Sequence, residues 1–228
     1  MTMTRVVPAP RRGRGTWAGL DLARIVEAAR RLDPRKITMQ ALADELGVDR
    51  KALNHHVGDR ETLLALAALD AFAENFGNVR IGEAEDWRQA CRHYARAFVR
   101  SMIATGLLVE HFRLRDSFAI GILQPSEELI AKLVASGFDD NQAGRILALL
   151  ATICLGHARD TVMASQAGQH PRKALIQQAL KAREPGQLQN LARLAASNLN
   201  PYDDTQFDLS IEIFVRGIED VLRDTGGC

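Results

Sequence analysis

Cysteine is scarce in this chain: the 228 residues hold three, Cys91, Cys154 and Cys228, too widely spaced to form a C-x-x-C pair. That pattern argues against a disulfide framework or a zinc knuckle, and reduced thiols point to a cytoplasmic protein. The N-terminal arginines are not followed by an apolar stretch, so no ordinary secretory signal is read there. No apolar run approaches the roughly 20 residues of a membrane-spanning helix, and no membrane partner is expected. Strand-like alternation is nearly absent. Enzyme signatures are missing as well: there is no H-E-x-x-H, G-x-S-x-G or G-x-x-x-x-G-K-[ST]. Gly13 and Gly15 follow no strand, and the adjacent His55 and His56 would point in different directions on a helix. No catalytic residue, metal ligand or tightly bound cofactor is therefore assigned.

What is present is a chain with core-forming capacity and an uneven charge distribution. Apolar residues make up 46% and charged residues 25%, and the formal net charge is only +1. That small sum hides an asymmetry. Residues 1–60 hold 12 Lys and Arg against 7 Asp and Glu, whereas residues 61–228 hold 17 against 21. A basic head on an acidic body suits a chain whose N-terminal part meets a polyanion.

The pattern divides the chain into a flexible basic arm (1–19), a helix-turn-helix domain (20–66) and a larger helical domain (67–228). The arm is rich in Pro, Arg and Gly without periodicity. Its run from Pro10 to Gly15 places Arg11, Arg12 and Arg14 as in an AT-hook, where arginines enter a narrow minor groove; a solubilising basic tail is the competing reading. Asp21 is placed to cap a first helix with Leu22, Ile25, Val26, Ala29 and Leu32 on its inner face, ended by Pro34. Thr38 caps a second helix carrying Leu42 and Leu46. Gly47 then supplies the turn, and Asp49 caps a short third helix with Leu53 inward. Asp59 caps a long fourth.

Two short helices across a glycine turn leave the outer face of the second free, the layout of a helix-turn-helix. That face offers Arg50, Lys51, Asn54, His55 and His56, donors suited to guanine and adenine edges and to phosphate. Thr38 and Gln40, at the start of the preceding helix, are placed to reach backbone phosphates. A helical hairpin with a solvated polar face would show the same bare pattern.

From Leu20 through Leu64 the sequence resembles, in register, the TetR family of bacterial repressors: Leu20 to Ala29, then Ile37 to Ala43, then Leu46 to Val57, with Leu63-Leu64 after it. The resemblance implies a homodimer on a double-stranded, pseudo-palindromic operator. Asn54 stands where that family carries a phosphate-contacting tyrosine. Arg60 stands where it carries a phosphate-contacting lysine at the start of the fourth helix.

Beyond residue 80, helices are expected over Trp87–Ala104, Ser126–Ser136, Asn141–Ala167 and Gln206–Asp224, with Pro125 a break. Residues 168–205 read as a short helix within a long mobile connection. This body resembles, more weakly, the ligand-binding half of the same family, at Asp86 to Gln89, Ala135 to Phe138 and Phe207 to Leu222. The resemblance implies a four-helix dimer interface, with Ile146, Leu150 and Ile153 on one helix and Leu209, Ile213 and Ile218 on the other. It also implies an effector pocket for a small apolar molecule. Phe72, Phe76, Phe98, Met102, Phe112, Phe118 and Met163 are candidates to line it, with His93, His111 or His157 as polar anchors. The threonine that family members place three residues after a histidine to organise a magnesium-bound drug is replaced here by Leu114, three residues after His111. The expectation is an all-α regulator; a helical dimer that uses its basic head on another partner and senses no ligand is the alternative.

Overall fold

The computed structural model describes residues 20–113, 120–184, 186–197, 200 and 202–225, and every regular element among them is helical. Helix α1 (Leu22–Arg31) starts where the Asp21 carboxylate accepts from the Arg24 amide at 2.8 Å, and it buries Ile25, Val26, Ala28 and Ala29. Thr38 caps α2 (Met39–Leu46), Asp49 caps α3 (Arg50–Asn54) and Asp59 caps α4 (Arg60–Phe76), each side chain accepting from a first-turn amide. The Thr62 amide holds the Asp59 carboxyl below its usual range. All four caps agree with the sequence reading.

Between α2 and α3 the chain reverses through Gly47, at φ 65° and ψ 33°. The Gly47 amide donates to the Asp44 carbonyl and the Val48 amide to that of Ala43, at 3.2 and 3.0 Å, so the last carbonyls of α2 are satisfied by a Schellman turn.

α4 packs against α1 on one side and against α5 (Trp87–Ala104) on the other. A buried cluster therefore runs without interruption from Ile25 and Leu53 in the head to Phe98 and Leu133 in the body. Arg30 adds ion pairs from α1 to Asp70 and Glu74 of α4. After α5, Gly106 at φ 57° opens a 3-10 helix, Gly106–His111. α6 spans Ile120–Ala135 and α7 spans Asp140–Ala167, the latter started by a capping box between Asp139 and Gln142.

Pro125, expected as a break, lies inside α6. Proline removes one backbone hydrogen bond, but Ile122, Leu129 and Leu133 are buried on the neighbouring helices, and that packing outweighs the loss. The 168–205 region also departs from expectation, forming two helices, α8 (Pro171–Ala182) and α9 (Gln189–Ala196). Buried His170 holds the first in place. Its Nδ1 accepts from the Arg172 amide, its ring stacks on Tyr202 at 3.6 Å, and its Nε2 lies 3.1 Å from the Asp160 carboxylate.

α10 (Asp204–Thr225) closes the fold against α5 and α7. Arginines at four-residue steps along α5 grip its acids: Arg88 to Glu219, Arg92 to Glu212 at 2.9 Å, and Arg96 to Asp208 at 3.3 Å. α7 is the one helix among the described residues long and apolar enough to cross a membrane by length and composition, with a mean hydropathy of 1.4. Here it packs along α5 and α6. Burial pushes the Cys91 and Cys154 thiols up to about 12, so both stay protonated within the core.

No side chain crowds Gly47, so the constraint there is the left-handed backbone alone. That conformation costs an L-residue about 1–2 kcal/mol. Gly47→Val is expected to lower the unfolding free energy by about that amount in urea titration, and an unchanged midpoint would show that the turn relaxes at no cost.

Candidate nucleic-acid interface

α3 is held from beneath. Ala52, Leu53 and Val57 are buried, so the helical period turns Arg50, Lys51 and Asn54 to solvent, with His55 and His56 following the helix, also exposed. Arg50, Lys51, Asn54, His55 and His56 thus lie together on one exposed surface. On α2, Thr38 and Gln40 are exposed near the same edge. Thr38 Oγ1 accepts from the Ala41 amide at 3.0 Å, and the Gln40 amide donates to Asp44 at 2.8 Å. Both groups hold local structure while remaining on the surface.

Arg60 has a role that motif reading missed. Its Nε donates to the Ile37 carbonyl and its Nη2 to the Pro34 carbonyl, each at 2.7 Å, so the half-buried guanidinium staples the α1–α2 connection to the start of α4. Three of its five N–H groups remain for a phosphate. No local sequence signal marks this clamp, because the carbonyls it binds lie more than twenty residues upstream. Arg60→Ala is therefore expected to lower stability by about 1–3 kcal/mol in DNA-free thermal melts, whereas a role confined to phosphate contact would leave the melt unchanged.

The expected effector cavity does not have the expected walls. Phe72, Phe76, Phe98, Met102 and Phe112 are all buried. The Phe72 ring centroid lies 4.8 Å from that of Phe76, 5.0 Å from Phe98 and 5.1 Å from Phe112, so these side chains fill the space between α4, α5 and the 3-10 helix instead of enclosing a void. Met163 lies exposed on α7. His111 Nδ1 meets Glu61 at 3.3 Å, joining the 3-10 helix to the first turn of α4. His157 stacks on Phe207 at 4.6 Å, and burial holds its pKa below the usual value. Phe118 and the arm residues Arg11, Arg12 and Arg14 lie outside the described residues.

Of the six candidate interface residues, Leu150 is corrected: it is fully buried within the protomer, because its phase on α7 directs it inward. Ile146 and Ile218, also buried, form with Ile153 the floor of an apolar groove between α7 and α10. Ile213 on its rim is 62% exposed and Leu209 nearby 53%. Leu149 and Val221, at 54% and 45%, complete the exposed apolar face.

Comparison with known proteins fits this geometry. Residues 82–222 match the model of the tetracyclin repressor-like C-terminal domain. A comparison with curated proteins returned no match. Among solved structures, the Streptomyces coelicolor protein ActR in complex with actinorhodin superposes with a TM-score of 0.67 at 26% identity, over 88% of this chain and 95% of that one. A possible TetR family transcriptional regulator from Streptomyces coelicolor gives 0.68 at 23% identity, over 88% and 100%. A variant of TetR from Acinetobacter baumannii in complex with minocycline gives 0.62 at 18%, over 89% and 98%, a likeness of fold alone.

Proposed function

The chain belongs to the tetracyclin repressor-like (TetR) family of transcriptional regulators, and on that premise we propose that it is a homodimeric repressor which a small molecule releases from a pseudo-palindromic operator. Residues 20–66 serve as the DNA-binding head and residues 67–228 as the dimerising, effector-sensing body. The observation that carries the reading is the outward row Arg50, Lys51 and Asn54 on a helix anchored by buried Ala52 and Leu53. An arginine or lysine there suits a guanine edge and an asparagine suits adenine. The arm, with Arg11, Arg12 and Arg14, adds minor-groove contacts in this reading.

Dimerisation uses the α7–α10 groove. Its rim leaves large apolar side chains in water, and a two-fold partner presenting the same helices would cover them. Two heads carried on one rigid dimer would then meet half-sites about one helical turn of DNA apart.

Electrophoretic shift on the region upstream of its own gene tests the DNA reading. Arg50→Ala and Lys51→Ala are each expected to weaken binding by about 1–3 kcal/mol, and wild-type affinity in both would remove α3 from the interface. For the dimer, Ile213→Asp buries a charge in an apolar contact. Sedimentation is expected to show monomer for that variant and dimer for the parent at micromolar concentration; a variant that still sediments as dimer would place the interface elsewhere.

A further inference from the structure

The arginine ladder of α5 stops one rung short. Continuing its four-residue step would join Arg100 to Asp204 at the start of α10, but the Arg100 Nε donates instead to the Arg96 carbonyl at 3.3 Å. A cleft of about 750 Å³ opens there, between the α4–α5 connection at Val79 and Arg80, the outer face of α5 and the start of α10. This is within the range of small-molecule sites. Val79, Ala97, Ile103 and Phe207 supply apolar surface. Arg80, Arg96, Arg100, His93, Asp204 and Asp208 supply the polar groups.

The charges do not cancel evenly. Asp208 is taken by Arg96. Among the described residues no carboxylate forms an ion pair with Arg80 or Arg100. Glu128, whose charge Arg80 feels, has its Oε2 engaged by the Ile81 and Gly82 amides at 2.6 and 2.8 Å. Asp204 is the single opposing charge left in the cleft. Guanidinium groups beside apolar surface suit a ligand with an apolar body and one anionic head.

We propose that this cleft binds a small organic anion, its rigid apolar body on Phe207, Ala97 and Ile103 and its carboxylate or similar head at Arg80 and Arg100. The filled aromatic interior leaves the outer cleft as the better-formed cavity. Its walls also suit an effector, so the inference deepens the ligand-responsive reading and rests on it. One wall, Val79 and Arg80, lies just after α4, the helix that starts beside the proposed DNA-binding head, and the other begins α10, whose opposite flank carries Ile213, Gly217 and Val221 of the proposed dimer groove. A ligand bridging the walls would bias the angle between head and dimer face.

Fluorescence titration of the full chain with anilinonaphthalene sulfonate, an aromatic monoanion, tests the site beside N-phenylnaphthylamine, its neutral counterpart. One anionic probe is expected per protomer, with the neutral one at least about tenfold weaker. Arg80→Gln with Arg100→Gln should weaken the anion by about tenfold or more, the loss of one charge-assisted hydrogen bond or better. Asp204→Asn should tighten it, an effect no merely structural role produces. Equal affinity for the two probes, or anion binding untouched in the double variant, would overturn the proposal. Probe-free operator shifts of the parent and the same variants separate the two readings: a parent that fails to bind DNA refutes the regulator, and the titration alone judges the cleft.

Discussion

Helix α4 has to be buried on two sides at once, and the arrangement of head and body follows from that requirement. A head of fewer than fifty residues has too little interior to stand securely alone. Leu63, Leu64, Ala67 and Phe72 along α4 extend its core into the body as one continuous cluster. Each of the leucines and the phenylalanine contributes about 1.5–3 kcal/mol on burial. The ion pairs from Arg30 to Asp70 and Glu74 lie in partly exposed positions, where such pairs contribute about 0–1 kcal/mol. Packing therefore sets where the head sits, and the ion pairs only trim its angle.

α10 shows the same division of labour between packing and charge. Phe207, Ile211, Phe214, Val215 and Ile218 form its buried stripe, while Asp208, Glu212 and Glu219 meet the arginines of α5 on one flank. The other flank is apolar and exposed at Ile213 and Val221. One stripe of α10 thus lies in the core and another apolar row lies in water, the surface on which the proposed dimer rests. The arginine-lined cleft and the apolar groove lie on opposite flanks of one helix.

The body also shows why an effector site is hard to infer from residue type. Phenylalanines that could line a cavity can equally close it, and the 4.8–5.1 Å ring contacts of Phe72 with Phe76, Phe98 and Phe112 show that here they close it. The open space lies instead on the outer side, where the ion pairs between α5 and α10 end at Arg96 and Asp208.

The sequence by itself determined what depends on a few neighbouring residues. Asp21, Thr38, Asp49 and Asp59 cap the first four helices because a short polar side chain reaches an amide two or three residues ahead. Gly47 turns between α2 and α3 because it alone tolerates that backbone without strain. The outward row on α3 follows from the same local period once Leu53 is placed inside. What only the tertiary structure decided involves groups far apart in the chain. Arg60 finds the Pro34 and Ile37 carbonyls, Pro125 is carried within α6 by the packing around it, and α8 is secured through His170, Asp160 and Tyr202. Leu150 turns inward while Leu149 turns outward, because the phase of a helix against its neighbours is a property of the packed whole.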